Sequence, residues 1–313
     1  MISCTEFIPS YSELFAYLKR KNGKKEVEKF WDYLFAPTGT GNPLINHVKK
    51  EGIKGCFTYW AGSLNEEAAD FTMYLNQKRG FFQIFMHRCP SKGRLLELEK
   101  DIGVKPYPDY CLHCDYYRKA TEKAGLKYIY NFTGVDKASC SLLIYDPKVF
   151  DGRVVIDEDT VIMDRNASDN EYFHKDFHSS LNMGIDYLGK NYGIDALEEY
   201  FNDYVSNVYQ KTILDVKARG LKAIEDKILD TYSKEKCPDA VNTTIDGNKL
   251  SVKVEYCPAV KHLKATGREV SEFFVYSTSF VMKKLAQKTA FAFNMISYDS
   301  DTGKAEYEFI KEN

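Results

Sequence analysis

No stretch of this 313-residue chain approaches the roughly 18 to 20 consecutive apolar residues that would span a bilayer. The first residues, MISCTEFIPSYSELF, lack both the basic leader and the apolar run of a secretion signal. An excess of one charge is also missing. The 43 basic and 45 acidic residues are mixed along the chain and give a formal net charge of -2, which leaves no basic stripe to track phosphates. Neither a membrane nor nucleic acid is therefore expected as a partner, and a cytoplasmic protein is expected. Cysteine is too sparse to staple the chain: eight thiols are spread over a length that can bury its own core, so in a reducing compartment they are expected as thiols or metal ligands. Histidine is scarcer still, six residues in all, so two that fall close together stand out.

What is abundant is aromatic: 23 Tyr and 20 Phe, enough for an aromatic-rich core or an aromatic-lined cavity. The length accommodates two ordinary domains, and the sequence repeats itself in a way that points to two. GFFQIFMHRCPSKGRLL lies over KLSVKVEYCPAVKHL, aligning Cys89-Pro90 with Cys257-Pro258. Upstream, Tyr17, Leu18 and Gly23 recur as Tyr187, Leu188 and Gly193. Downstream, Tyr110 to Phe132 lies over Val275 to Ser297, and each half closes on a further strand, SCSLLIY or AEYEFI. Four segments in one order at an offset of about 170 residues predict a tandem duplication. Copy one is expected over 1–150, a connector over 151–170 and copy two over 171–313.

Local patterns set the fold class. Leu14, Tyr17, Leu18, Val27, Phe30, Trp31 and Leu34 follow helical spacing interrupted at Gly23. Phe81 to Met86 and Leu250 to Tyr256 read as half-buried strands, and turns near Gly134 and Gly303 predict hairpins. The expectation is an α+β protein in which each copy packs helices on one face of a small antiparallel sheet. The RVVI and TVIM runs of the connector predict an added hairpin or edge strand.

The stretch CLHCDYYRKATEKAGLKYIYNFTGVDKASCSLLIY resembles the 4-vinyl-reductase-type ligand-binding fold and is similar to L-2-amino-thiazoline-4-carboxylate hydrolase-like proteins, with a weaker echo from Phe274 to Ile310. The resemblance implies a small-molecule pocket between helices and sheet, sometimes with a cysteine-bound zinc, and a sensory or hydrolytic role. In copy two Cys111, Cys114 and Cys140 fall opposite Tyr276, Ser279 and about Tyr307, so thiol chemistry implied by the resemblance applies to copy one alone.

Three constellations carry chemistry. Cys111-Leu-His-Cys114 has the two-residue spacer that lets two thiolates share one metal ion, and helix-start amides would lower their pKa. With Cys140 as partner it is the candidate zinc site, structural thiols and a redox pair being the alternatives. Glu171, His174 and His178 would share one helical face at i, i+3 and i+7, as a general base or metal site, with Cys4, Glu6 and Ile8 near the equivalent places in copy one. Cys89 is the candidate nucleophile at a strand end if His87 or His262 serves as base, and Lys92 or Arg94 in the following turn could hold a carboxylate-bearing ligand. Near them, Glu66, Glu67 and Asp70 form a carboxylate cluster read as specific to copy one.

The functional reading is a small-molecule enzyme that hydrolyses a carbon–nitrogen bond in a small heterocycle or amide, in copy one or between the copies. A small-molecule-binding or sensor protein with a structural zinc is the second reading, and a metal-dependent lyase or isomerase using His174 and His178 is the third. Association with further copies of the chain is left open.

Overall fold

The computed structural model describes residues 1–35 and 43–311. Helices α1 (Phe7–Asn22) and α2 (Lys24–Phe35) are separated by Gly23, whose φ of +82° no side-chain-bearing residue adopts readily. Helices α3 (Pro43–Glu51) and α4 (Lys54–Glu66) lead into a hairpin of strands β1 (Asp70–Asn76) and β2 (Phe81–Arg88). Helix α5 (Pro90–Ile102) follows, then a 3-10 helix (Tyr110–Tyr116) that runs into α6 (Tyr117–Lys123). Strands β3 (Lys127–Asn131), β4 (Cys140–Tyr145) and β5 (Val161–Arg165) complete a five-stranded sheet of order β3-β4-β2-β1-β5. The TVIM run is thus the expected edge strand, whereas RVVI is not a strand.

The second half begins with α7 (Phe177–Val208), bent at Gly193 (φ +80°), and continues through α8 (Gln210–Arg219) and α9 (Leu221–Lys234). Strands β6 (Val241–Asp246) and β7 (Lys249–Val254), helices α10 (Pro258–Ala265) and α11 (Tyr276–Gln287), and strands β8 (Phe291–Tyr298) and β9 (Ala305–Lys311) follow. This sheet has the order β6-β7-β9-β8, which is the order β1-β2-β4-β3 of the first sheet, and every strand pair in both is antiparallel. The α+β class stands.

Corresponding places in the two halves are built alike. Each Cys-Pro pair ends a strand region and starts a helix, with proline in the first helical position, where a missing N–H costs nothing. Cys89 Sγ accepts the Lys92 N–H at 3.4 Å, as a serine cap would, and Cys257, 5% exposed, holds the corresponding place at the start of α10. Helices α4 and α9 also end identically: Glu67 and Glu235 bond back to Ser63 and Thr231, and Ala68 and Lys236 then take φ of 51° and 58°. The backbone turn that ends α4 therefore has a structural counterpart after α9.

Contacts divide the chain into unit 1 (Met1–Lys21, Ile102–Val104, Lys175–Asn313) and unit 2 (Asn22–Asp101, Lys105–His174). These differ from the boundaries read from sequence, because the buried face of α1 (Phe7, Ile8, Leu14, Phe15, Leu18) packs within the C-terminal unit. Phe7 stacks on Phe177 at 4.6 Å and the Tyr200 hydroxyl donates to the Ser10 carbonyl. The core of unit 2 joins Leu44, Trp60, Phe71, Phe82, Tyr128 and Ile144 across α3, α4 and the sheet. No helix among the described residues is long and apolar enough to cross a membrane.

Candidate functional site

Unit 2 gathers four thiols. Cys111 and Cys114 sit on the 3-10 helix, where three residues per turn put i and i+3 on one side. Cys140 opens β4, and Cys89 precedes α5. The helix is tied to β3 by the Tyr128 hydroxyl, which donates to the Cys114 carbonyl at 2.9 Å, and by Arg118, which bridges Asp115 and the Tyr128 carbonyl. Behind it Trp31 of α2 packs edge-on against Tyr116 at 5.3 Å. The four thiols are close enough for Cys111, Cys89 and Cys140 each to raise the pKa of Cys114, and all four keep some accessible surface.

Contrary to the expectation from the CxxC spacing, Cys111 and Cys114 are not lowered by helix-start amides. Burial dominates and pushes Cys89 up to about 12 and Cys111 up to about 11, and Cys114 well above its ordinary value. The resting cluster is therefore made of neutral thiols. His113 is neutral too, lowered to about 4 by burial against the opposing pull of the Tyr110 carbonyl. That carbonyl can only accept, so the 2.5 Å contact places the ring proton on Nδ1 and leaves the Nε2 lone pair open. Nε2 is 3.6 Å from Cys114 Sγ and so accepts its S–H. A nucleophile, a base within reach and a group that orients the base are all present. On the other side of the cluster, the Tyr130 hydroxyl donates to Cys140.

Two charged side chains frame the thiols. Lys92 is 8% exposed, and its ammonium favours the ionised form of Cys111. Among the described residues its ammonium meets no carboxylate at ion-pair distance. Arg94 is by contrast fully engaged: it donates to the Pro90 carbonyl at 2.8 Å and the Glu67 carbonyl at 3.1 Å, and lies 3.5 Å over the Tyr172 ring. Of the two candidate anion-holding residues, Lys92 is the one left available. Glu67 is half-buried, and burial pushes its carboxyl up despite His174, Arg94 and Ser91.

Cys111, Cys114 and Cys140 are thus neighbours, with Cys89 beside them. Their donor chemistry suits zinc, but among the described residues no three of these sulfurs lie within 4.8 Å of one another, wider than the about 3.8 Å that bonds of about 2.3 Å at tetrahedral angles require. The two histidines expected as base for Cys89 have other partners: His87 meets the Thr72 hydroxyl at 2.7 Å and His262 meets Asp176 at 3.3 Å. Glu171, His174 and His178 do not share a helical face, because α7 begins only at Phe177. Tertiary contacts hold the preceding residues out of the helix. The Phe173 N–H donates to the Glu66 carbonyl at 2.8 Å, and Tyr172 lies under Arg94. His174 bonds to the Glu66 carboxylate at 2.6 Å in unit 2, while His178 meets Glu235 at 3.0 Å in unit 1, where the other Glu235 oxygen accepts the Cys4 N–H at 2.6 Å.

The residues that sequence reasoning missed are His113 as a base, Tyr130 and Glu235. His113 lay inside the CxxC motif, and its meaning depends on the 3-10 geometry that turns it toward Cys114. Glu235, between Lys234 and Lys236, reads as a solvated helix end. Comparison of this chain with family models, with curated proteins and with solved structures finds no match.

Proposed function

We propose that unit 2 is a thiol-dependent hydrolase of small molecules, cleaving a carbon–nitrogen bond in a small carboxylate-bearing heterocycle or amide. The observation that carries this reading is the Cys114–His113 pair with Nδ1 fixed on the Tyr110 carbonyl. Lys92 binds the substrate carboxylate through an ammonium that meets no carboxylate among the described residues. His113 Nε2 takes the proton of Cys114 as its sulfur bonds to the electrophilic carbon. The same proton passes to the departing nitrogen as the C–N bond breaks. Water then attacks the thioester-like carbon, gives a proton to Nε2, and releases the product as the C–S bond breaks and the thiol is restored. The half-exposed setting of the thiols supports this reading over four structural cysteines, and the strand order common to the two sheets supports a duplication in which one copy kept its reactive residues.

The zinc-bearing sensor remains the second reading, favoured by the four-thiol donor set and weakened by its spacing. Turnover of 2-amino-thiazoline-4-carboxylate, the substrate class that the resemblance names, separates the two. The hydrolase reading predicts turnover that Cys114→Ala abolishes and that Lys92→Met weakens chiefly through a raised KM. Equal rates in Cys114→Ala and the unaltered chain would sink it.

A further inference from the structure

A second cluster, wholly inside unit 1, has no part in that chemistry. Cys4, His178 and Glu235 are 1%, 1% and 3% exposed, and one ligand atom from each lies within 4.8 Å of the other two. They are the only such trio among the described residues. Three different elements supply them: the segment before α1, the first turn of α7 and the cap of α9. A thiol, an imidazole and a carboxylate thus converge in the core, where Glu235 bonds both the His178 ring and the Cys4 N–H.

We propose that Cys4, His178 and Glu235 bind a zinc ion. The donor set is borderline-soft, one sulfur, one nitrogen and one oxygen, which favours zinc over magnesium or calcium. Charge points the same way. A thiolate and a carboxylate cancel a divalent cation, and the neutral imidazole adds nothing, so the loaded site is uncharged in a place from which water is excluded. Bonds of about 2.0 to 2.3 Å at tetrahedral angles would set the donors about 3 to 4 Å apart. That is a small contraction of a trio already within 4.8 Å. Because the cation joins the N-terminal segment to α7 and α9, loading would stabilise unit 1 as a fold.

The test uses cobalt(II) as probe, in the full chain, after chelator treatment under reducing conditions. Cys111, Cys114 and Cys140 are first replaced by serine to remove the other candidate zinc thiols, and Cys4→Ser then distinguishes this site from any thiol that remains. The proposal predicts one equivalent of tightly bound cobalt with a thiolate-to-cobalt charge-transfer band in the near ultraviolet, displaced by zinc. Cys4→Ser keeps the backbone N–H that Glu235 accepts, so the fold should survive while the band disappears. His178→Gln should likewise lose the equivalent, and circular dichroism checks that both variants are folded. No charge-transfer band in the triple-serine background, or a band unchanged by Cys4→Ser, would overturn the assignment and leave the trio as a hydrogen-bonded clamp.

Discussion

At the scale of single residues, the account depends on His113 being neutral and of one tautomer. Its pKa is lowered to about 4 from an ordinary 6.5, so between those values the unfolded chain binds a proton that the folded chain does not. Stability is therefore expected to be level above about pH 6.5, to fall as pH drops from there to about 4, and to level off below, as far as this group is concerned. His113→Gln should remove that component of the acid limb, which urea titrations across the same range would show. The same pKa keeps His113 unprotonated down to about pH 4, at a cost in base strength. A turnover profile whose acid limb stayed near 6.5 would mean that another group is the base.

Elements explain why part of this was legible in the sequence and part was not. The Cys-Pro pairs were visible because an apolar strand before them and a helix after them leave a sharp boundary, and Gly23 was visible as a break in helical spacing, with Gly193 at the matching place of the repeat. Strand β1 was missed because it is buried on both faces (Phe71, Thr72 and Met73 in succession) and shows no alternation. Its counterpart β6, VNTTID, was missed because it is largely exposed and polar. The spacing of Glu171, His174 and His178 misled because period alone cannot show that Phe173 and Tyr172 have partners elsewhere. Gly193 yields a quantitative expectation. At φ +80°, ψ -177° it occupies a region open essentially to glycine alone, and a Cβ there would meet nothing within 4 Å. Gly193→Ala should thus destabilise unit 1 by about 1 to 3 kcal/mol through the backbone alone. An unchanged denaturant midpoint would show that α7 can run straight through the bend.

At the scale of the whole molecule, the units are not consecutive in sequence. Residues 1–21 belong to the unit formed by 175–313, and the burial of Phe7, Ile8, Leu14, Phe15 and Leu18 makes that membership energetic as well as geometric. At about 1.5 to 3 kcal/mol each, these side chains contribute on the order of 10 kcal/mol, comparable with the whole stability of a domain. A chain without residues 1–21 is expected to lose hydrogen-exchange protection in α7, α9 and the β6-β7-β9-β8 sheet while keeping it in β1, β2 and β4. Protection lost equally in both units would mean that they do not fold separately. The boundary read at 150 to 171 is not where the contacts divide the chain, and only the packing of α1 shows which unit it stabilises.

The reaction assigned to unit 2 is tested most directly by acid-quenching the protein during turnover of 2-amino-thiazoline-4-carboxylate and mapping the adduct by peptide mass spectrometry. A covalent adduct on the peptide that contains Cys114 is predicted, accumulating more slowly by about 100- to 10,000-fold in His113→Gln and absent in Cys114→Ala. Undiminished turnover by Cys114→Ala, or an adduct confined to another cysteine, would contradict the account.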